Sequence, residues 1–193
     1  MWRFSQIVAM TLLLAASSAQ AESMTTAITY PQEAIAMKAG EGANTALSIE
    51  DARTTTSAGQ TVDGNVLVTP TDITASLYDY MTRALTTAGY HVIPYTPQLA
   101  SGVVIHIRAI EYSSSRHMLK SKVAVRVVLD AKENSSDTTR TYRIEVEDQF
   151  AFSPSSEDNS QMLGNGLAAA ATAVLGDFSP AMAPTQTNTP AGR

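Results

Sequence analysis

Lys122-Val123-Ala124-Val125-Arg126-Val127-Val128-Leu129-Asp130-Ala131-Lys132 puts Val123, Val125, Val127, Leu129 and Ala131 on one parity, and Lys122, Arg126, Asp130 and Lys132 on the other. A period of two is the pattern of a strand with one face on a core and one face in water. The same pattern stands on either side of it. Residues 103–112 alternate before it, and residues 138–152 after it, where Tyr142, Ile144, Val146, Phe150 and Phe152 oppose Arg143, Glu145, Glu147 and Gln149. Ser113-Ser114-Ser115 and Glu133-Asn134-Ser135-Ser136-Asp137 are short enough to serve as hairpin connections. Together these segments predict an antiparallel meander that is wet on one face.

Such a sheet needs a cover for its apolar face. Pro70-Thr71-Asp72 opens a helical pattern in which Ile73, Leu77, Tyr80, Met81, Ala84, Leu85 and Ala88 recur at three-to-four spacing, and Gly89 stops it. Tyr90-His91-Val92-Ile93 follows directly as a short strand ended by Pro94. A second helix is predicted from Ser155, with Asp158 at capping-box spacing, to about Gly176, carrying Met162, Leu163, Leu167, Ala170, Val174 and Leu175 on one stripe. Residues 46–53 and 62–68 supply further extended pieces, with 54–60 as a loop between them. Two helices on one face of a mostly antiparallel sheet of four to five strands give an α+β two-layer sandwich.

The chain ends frame this domain. Met1-Trp2-Arg3-Phe4, an apolar run over 7–16 and Ala19-Gln20-Ala21 read as a secretory signal peptide cleaved after Ala21, too short to span a membrane. Residues 22–45 are small, polar and Gly-containing and read as an extended leader. Residues 46–178 are the single domain, and 179–193 a disordered tail. The expected compartment is the periplasm, with passage beyond the outer membrane as a further destination. The sequence has no cysteine, so neither a disulfide nor a lipid anchor is expected. A formal net charge of −5 without a dense basic block argues against nucleic acid and against anionic lipid headgroups.

Several of these residues carry a resemblance. A strand ending Asp51-Ala52-Arg53, then Leu67-Val68-Thr69-Pro70 leading into a helix that closes on Leu85-Thr86-Thr87-Ala88-Gly89-Tyr90, resembles the YajG-like family of uncharacterised bacterial envelope lipoproteins. The resemblance spans residues 46–178 and implies a three-strand meander and a final helix. It implies no activity, and Ala21-Glu22 stands where family members carry a lipobox cysteine. The layout also looks like small envelope assembly domains such as the TolB N-terminal domain, an analogy of fold alone.

No catalytic or cofactor signature rises above this background. His91, His106 and His117 stand in no ligand spacing, so no metal is expected. Gly164-Asn165-Gly166-Leu167-Ala168-Ala169 matches a dinucleotide fingerprint in letters but falls inside a helical pattern, where small residues let a helix approach its sheet. No nucleophile elbow is present. Glu145, Glu147 and Asp148 read as solubilising charge on a strand. Asp51 and Arg53, two apart, are candidates for bracketing a polar group of a partner, or simply an ion pair fixing a strand end. Arg116, Lys120, Lys122 and Arg126 form the one basic stretch and are candidates for an acidic partner, against the plainer reading of a mixed-sign surface. The expectation is a non-catalytic periplasmic binding or assembly accessory protein with an envelope protein partner. The alternatives are a small envelope hydrolase or ligand carrier with a cleft between sheet and helices, or a secreted effector or inhibitor.

Overall fold

The amphipathic strands assemble into one branched sheet. The computed structural model describes residues 21–33, 35–99 and 101–178; the expected signal peptide, but for its last residue, and the expected tail 179–193 lie outside the described residues. The elements in chain order are β1 Ser23–Thr25, β2 Asn44–Asp51, β3 Ser57–Gln60, β4 Val66–Val68, α1 Ile73–Thr87, β5 His91–Pro94, β6 Val103–His117, β7 Lys120–Glu133, β8 Thr139–Phe150 and α2 Ser156–Asp177.

Strands β6, β7 and β8 form the expected antiparallel meander. On its other edge β6 has two neighbours in succession. Parallel β2 runs along its first half, with Leu47 opposite Val103 and Asp51 opposite Ile107. Beyond that point β3 joins in parallel, Gly59 opposite Tyr112. Parallel β5 extends the β2 branch, while β4 and then β1 extend the β3 branch. The sheet thus forks on β6, and the β6–β7 register slips between Ile107 and Ala109 at the level of the fork, where a bulge adds bend and twist. Eight strands with parallel and antiparallel joins correct the expectation of four or five mostly antiparallel ones. Parity in a sequence tells which face a residue takes; it does not name the neighbouring strand.

The layering follows the expectation. Buried residues of both helices and the inward parity of β6 and β7 belong to one hydrophobic cluster, with α1 over β2 and β5 and α2 over β7 and β8. Local signals set the helix ends. Gly89 adopts φ 89, and its N–H donates to Thr86 O while that of Tyr90 donates to Leu85 O, a Schellman stop that glycine allows. At α2 the Ser155 and Asp158 side chains cap each other's backbone N–H groups, as the capping-box spacing requires.

Three local expectations change. Ser113-Ser114-Ser115 is not a turn: β6 continues to His117 against Lys120, because pairing with β7 outweighs the turn preference of serine. The hairpin turn is Met118-Leu119. Phe152 follows the end of β8 and is exposed instead of joining the core parity. Part of the loop expected over 54–60 is strand β3, stabilised by pairing with both β4 and β6.

The described residues ahead of β2 dock along the domain. β1 pairs with β4, and the Thr29 N–H and hydroxyl meet the carbonyl and hydroxyl of Ser160 on α2. Tyr30 stacks on Tyr80 of α1 with ring centroids 4.6 Å apart. Gly40 and Gly42 donate backbone hydrogen bonds to Ala88 and Gly89. The two glycines of α2 divide the work. Gly166 faces Val125 of β7, in keeping with a close helix-to-sheet approach, whereas Gly164 faces the backbone of the leader at Thr29.

Tyr112 on β6 ties the start of α2 to the sheet, its hydroxyl donating to Oδ1 of buried Asn159. Burial pushes the hydroxyls of Tyr112 and Tyr30 up to about 12. A group that holds its proton more tightly when folded destabilises the fold once the unfolded chain begins to lose that proton. Stability is therefore expected to be level up to about pH 10, the ordinary tyrosine value, and to fall from there toward pH 12. Urea midpoints across this range test it. Tyr112→Phe, which strands the Asn159 amide, should cost about 1–2 kcal/mol at neutral pH and make the alkaline fall shallower.

Candidate functional site

The first candidate lies at the fork. β2 ends at Asp51, the Ala52 N–H still donates to Ile107 O on β6, and the chain then leaves β6 toward β3. At this corner Asp51 accepts from the Arg53 backbone N–H at 3.2 Å and from Arg53 Nε and Nη2 at 2.8 and 2.7 Å. Arg53 Nη1 donates to Thr69 Oγ1 at 2.7 Å, and that hydroxyl donates to Thr56 O. Thr69 closes β4 and leads to α1, so a bidentate carboxylate–guanidinium pair links the ends of β2 and β4 across the branch point. Only 4% of the Arg53 side chain is exposed, against 32% for Asp51. The hydrogen bond from the Arg53 side chain, with help from its backbone N–H and charge, holds the Asp51 carboxyl below the usual carboxylate range. Both candidate residues meet as their spacing implied, but the arginine is turned inward and spends its donors within the chain. The part of the pair that reaches solvent is the carboxylate.

Lys120, Lys122 and Arg126 lie along the wet face of β7, whereas Arg116, opposite Ser121, takes the other parity beyond the end of the core; each of the four stands beside a carboxylate except one. Arg116 lies 3.2 Å from Asp63 and also reaches Ser153, Lys122 lies 2.8 Å from Glu147, and Arg126 lies 3.4 Å from Glu111. Lys120 makes no ion pair among the described residues. Exposed pairs of this kind add at most about 1 kcal/mol each, and their local effect is to cancel the positive field. His106 sits 3.3 Å from Glu50, and no group of three metal-ligating side chains converges among the described residues.

What the sequence reading missed is the end of the β6–β7 hairpin. Met118 and Leu119 form its two-residue turn, 85% and 76% exposed, and Phe152 beside them is 73% exposed. With Arg116 and Ser153 these three line one shallow depression. They are the large hydrophobics left in solvent among the described residues. Met118 holds φ 56 at a turn position where glycine is the ordinary residue. The Met118-Leu119 pair was visible in the sequence but masked by the expectation of a turn at the serines.

Two further recesses lie elsewhere among the described residues. A recess of about 40 Å³ lies between β7, β8 and the end of α2, lined by Val103, Ala131, Arg140, Tyr142, Val174 and Phe178 among others. That is room for a water molecule or two. A broader depression of about 460 Å³ opens on the surface between Ile28 and the start of α1, with Asp72 as its charged wall.

A family model described as "uncharacterized lipoprotein" matches residues 31–179. The chain belongs to that family. The match starts inside the docked leader and runs through α2, and it agrees with the resemblance to YajG-like envelope lipoproteins. Membership in this lipoprotein family associates the chain with the cell envelope, although its sequence contains no cysteine, the residue that carries the lipid of a bacterial lipoprotein. Among the described residues no helix is long and apolar enough to cross a membrane. None of the curated proteins matches the chain. Among solved structures it is similar to an uncharacterised protein (11% identity, 81% of this chain and 97% of that one, TM-score 0.45). It is also similar to lipoprotein GNA1162 from Neisseria meningitidis (13%, 61% and 90%, TM-score 0.34) and hypothetical protein CT253 from Chlamydia trachomatis (13%, 56% and 72%, TM-score 0.31).

Proposed function

We propose that this protein is a non-catalytic accessory of the bacterial envelope, acting in the periplasm by binding a protein partner through the end of its β6–β7 hairpin. The observation that carries the reading is the gathering of Met118, Leu119 and Phe152 in solvent at one end of the molecule. Burying one such side chain is favourable by about 1.5–3 kcal/mol, and these three, the exposed large hydrophobics among the described residues, stand together where a partner can cover them. Lys120, without an ion pair among the described residues, and Arg116 flank the apolar end and suit a contact that is apolar at its centre and polar at its rim. The recess under the end of α2 is water-sized and the 460 Å³ depression beside Ile28 lies open on the surface, which supports an external contact over an enclosed ligand cleft.

The test is cross-linking in intact cells from a photoreactive residue placed at Leu119, followed by mass spectrometry. A single dominant envelope protein is expected, and Met118→Ser with Leu119→Ser should weaken its capture at least about tenfold while leaving the melting temperature within about 2 °C. A protein that emerges alone, or with a small molecule bound, counts against this reading.

A further inference from the structure

Strand β8 pairs with β7 along twelve residues, and among the described residues no strand covers its other edge. This is the longest open edge of the sheet, and its inward side chains Tyr142, Ile144, Val146 and Phe150 are only partly buried against the core. Open edges of this length in a soluble protein are either blunted or paired. The charges along β8 have an order that selects one pairing. In a two-fold antiparallel ladder, residues directly opposite each other share a face, so the axis passes through a residue. With the axis at Ile144, Arg143 lies opposite Glu145 of the second copy, Arg140 opposite Asp148, Tyr142 opposite Val146, and Ile144 opposite itself. Every charged pair in this register is of opposite sign, and each occurs twice. Moving the axis one residue back sets Arg143 against Arg143; moving it one forward sets Glu145 against Glu145; two forward sets Glu145 against Glu147. Like charges directly opposite are unfavourable in a ladder. These three registers are thereby disfavoured; the axis two residues back, at Tyr142, opposes no two charges, so of the five the Ile144 register is the one whose charged pairs are present and all of opposite sign.

We propose that β8 is a self-association edge, pairing antiparallel with β8 of a second copy about a two-fold axis at Ile144, so that the two sheets run on as one. Arg143 is exposed and makes no ion pair within the chain among the described residues, which leaves its guanidinium for the partner copy. Arg140 reaches Asp177 at 3.7 Å in the single chain and faces a second carboxylate in the pair. The half-covered strip of Ile144 and Val146 gains its counterpart from the other copy. A C2 contact is self-complementary by definition, and this strand meets that condition in its own sequence.

Sedimentation velocity on the exported chain tests it. The wild type is expected to be dimeric at micromolar concentration. Arg143→Glu places like charges opposite at two points and should raise the dissociation constant at least about tenfold. The exchanged variant Arg143→Glu/Glu145→Arg restores opposite signs and should restore the dimer. Circular dichroism on each variant separates loss of pairing from loss of fold, and the rescue by the exchanged pair is a result that misfolding cannot give. A wild type that stays monomeric throughout the concentration range, or a dimer whose dissociation constant is the same in all three proteins, overturns the proposal.

Discussion

Gly164→Ala is expected to destabilise the protein by about 3 kcal/mol or more. A methyl group at Gly164 would land on the carbonyl oxygen of Thr29, with Tyr30 N within 3.1 Å, so a backbone segment has to move and no side-chain rotation relieves it. The displaced segment also carries the Thr29–Ser160 hydrogen bonds and the Tyr30–Tyr80 stack. The same helix supplies its own controls. At Gly166 the added carbon would lie 2.8 Å from Val125 Cγ1, a stiff side chain in a closely packed core, and about 1–3 kcal/mol is expected. At Gly176 nothing lies within 4 Å, and alanine should gain up to about 1 kcal/mol through its higher helix propensity, less so close to the helix end. Urea unfolding of the three variants should rank them in that order. Equal effects at all three positions would show that helix propensity, and not the docked leader, governs α2.

Asp51→Ala is expected to cost about 2–3 kcal/mol, because it leaves the nearly buried Arg53 guanidinium with Thr69 as its remaining side-chain partner. Removing the arginine should be milder: Arg53→Met keeps the stem and leaves a carboxylate that already reaches water, for about 1 kcal/mol. The double variant should cost little more than Arg53→Met alone, a coupling that a thermodynamic cycle measures. The pH dependence has a fixed sign. Asp51 holds its carboxyl below the ordinary value in the folded state, so its contribution is present above about pH 4 and is lost as the pH falls through the folded value. Asp51→Asn should flatten that acid-side fall. Additive single variants would mean that the two side chains do not act as a unit.

These two predictions mark where the sequence was and was not legible. The ends of α1 and α2 could be read because their signals are local: Gly89 beside Leu85 and Thr86, and Ser155 three residues from Asp158. The β6–β7–β8 meander could be read because strict alternation over long segments fixes which side chains face inward. The fork could not, since residues 47–51 and Gly59 join β6 in parallel across long stretches of chain, and alternation is silent about the neighbour. The leader was read as extended because it is small and polar; what holds it is a missing side chain at Gly164 and a stacked tyrosine, neither of which creates a hydrophobic pattern. At the candidate site the meeting of Asp51 and Arg53 followed from their spacing. Thr69, which turns the pair into a link between strands, lies 16 residues further on and had no signal of its own.

The seam between Thr29 and Ser160 joins positions 131 apart, and the strands nearest the start of the chain rest on elements made much later. The order of synthesis is therefore the reverse of what local folding would exploit. The leader finds β4 and α1 early, but its contact with α2 waits for the last helix, and the inner face of β7 and β8 stays bare until the same moment. Closure by such distant contacts is slow compared with folding through local ones, so the contacts of α2 with the leader and with β7 and β8 are expected to form last, once the final helix has emerged.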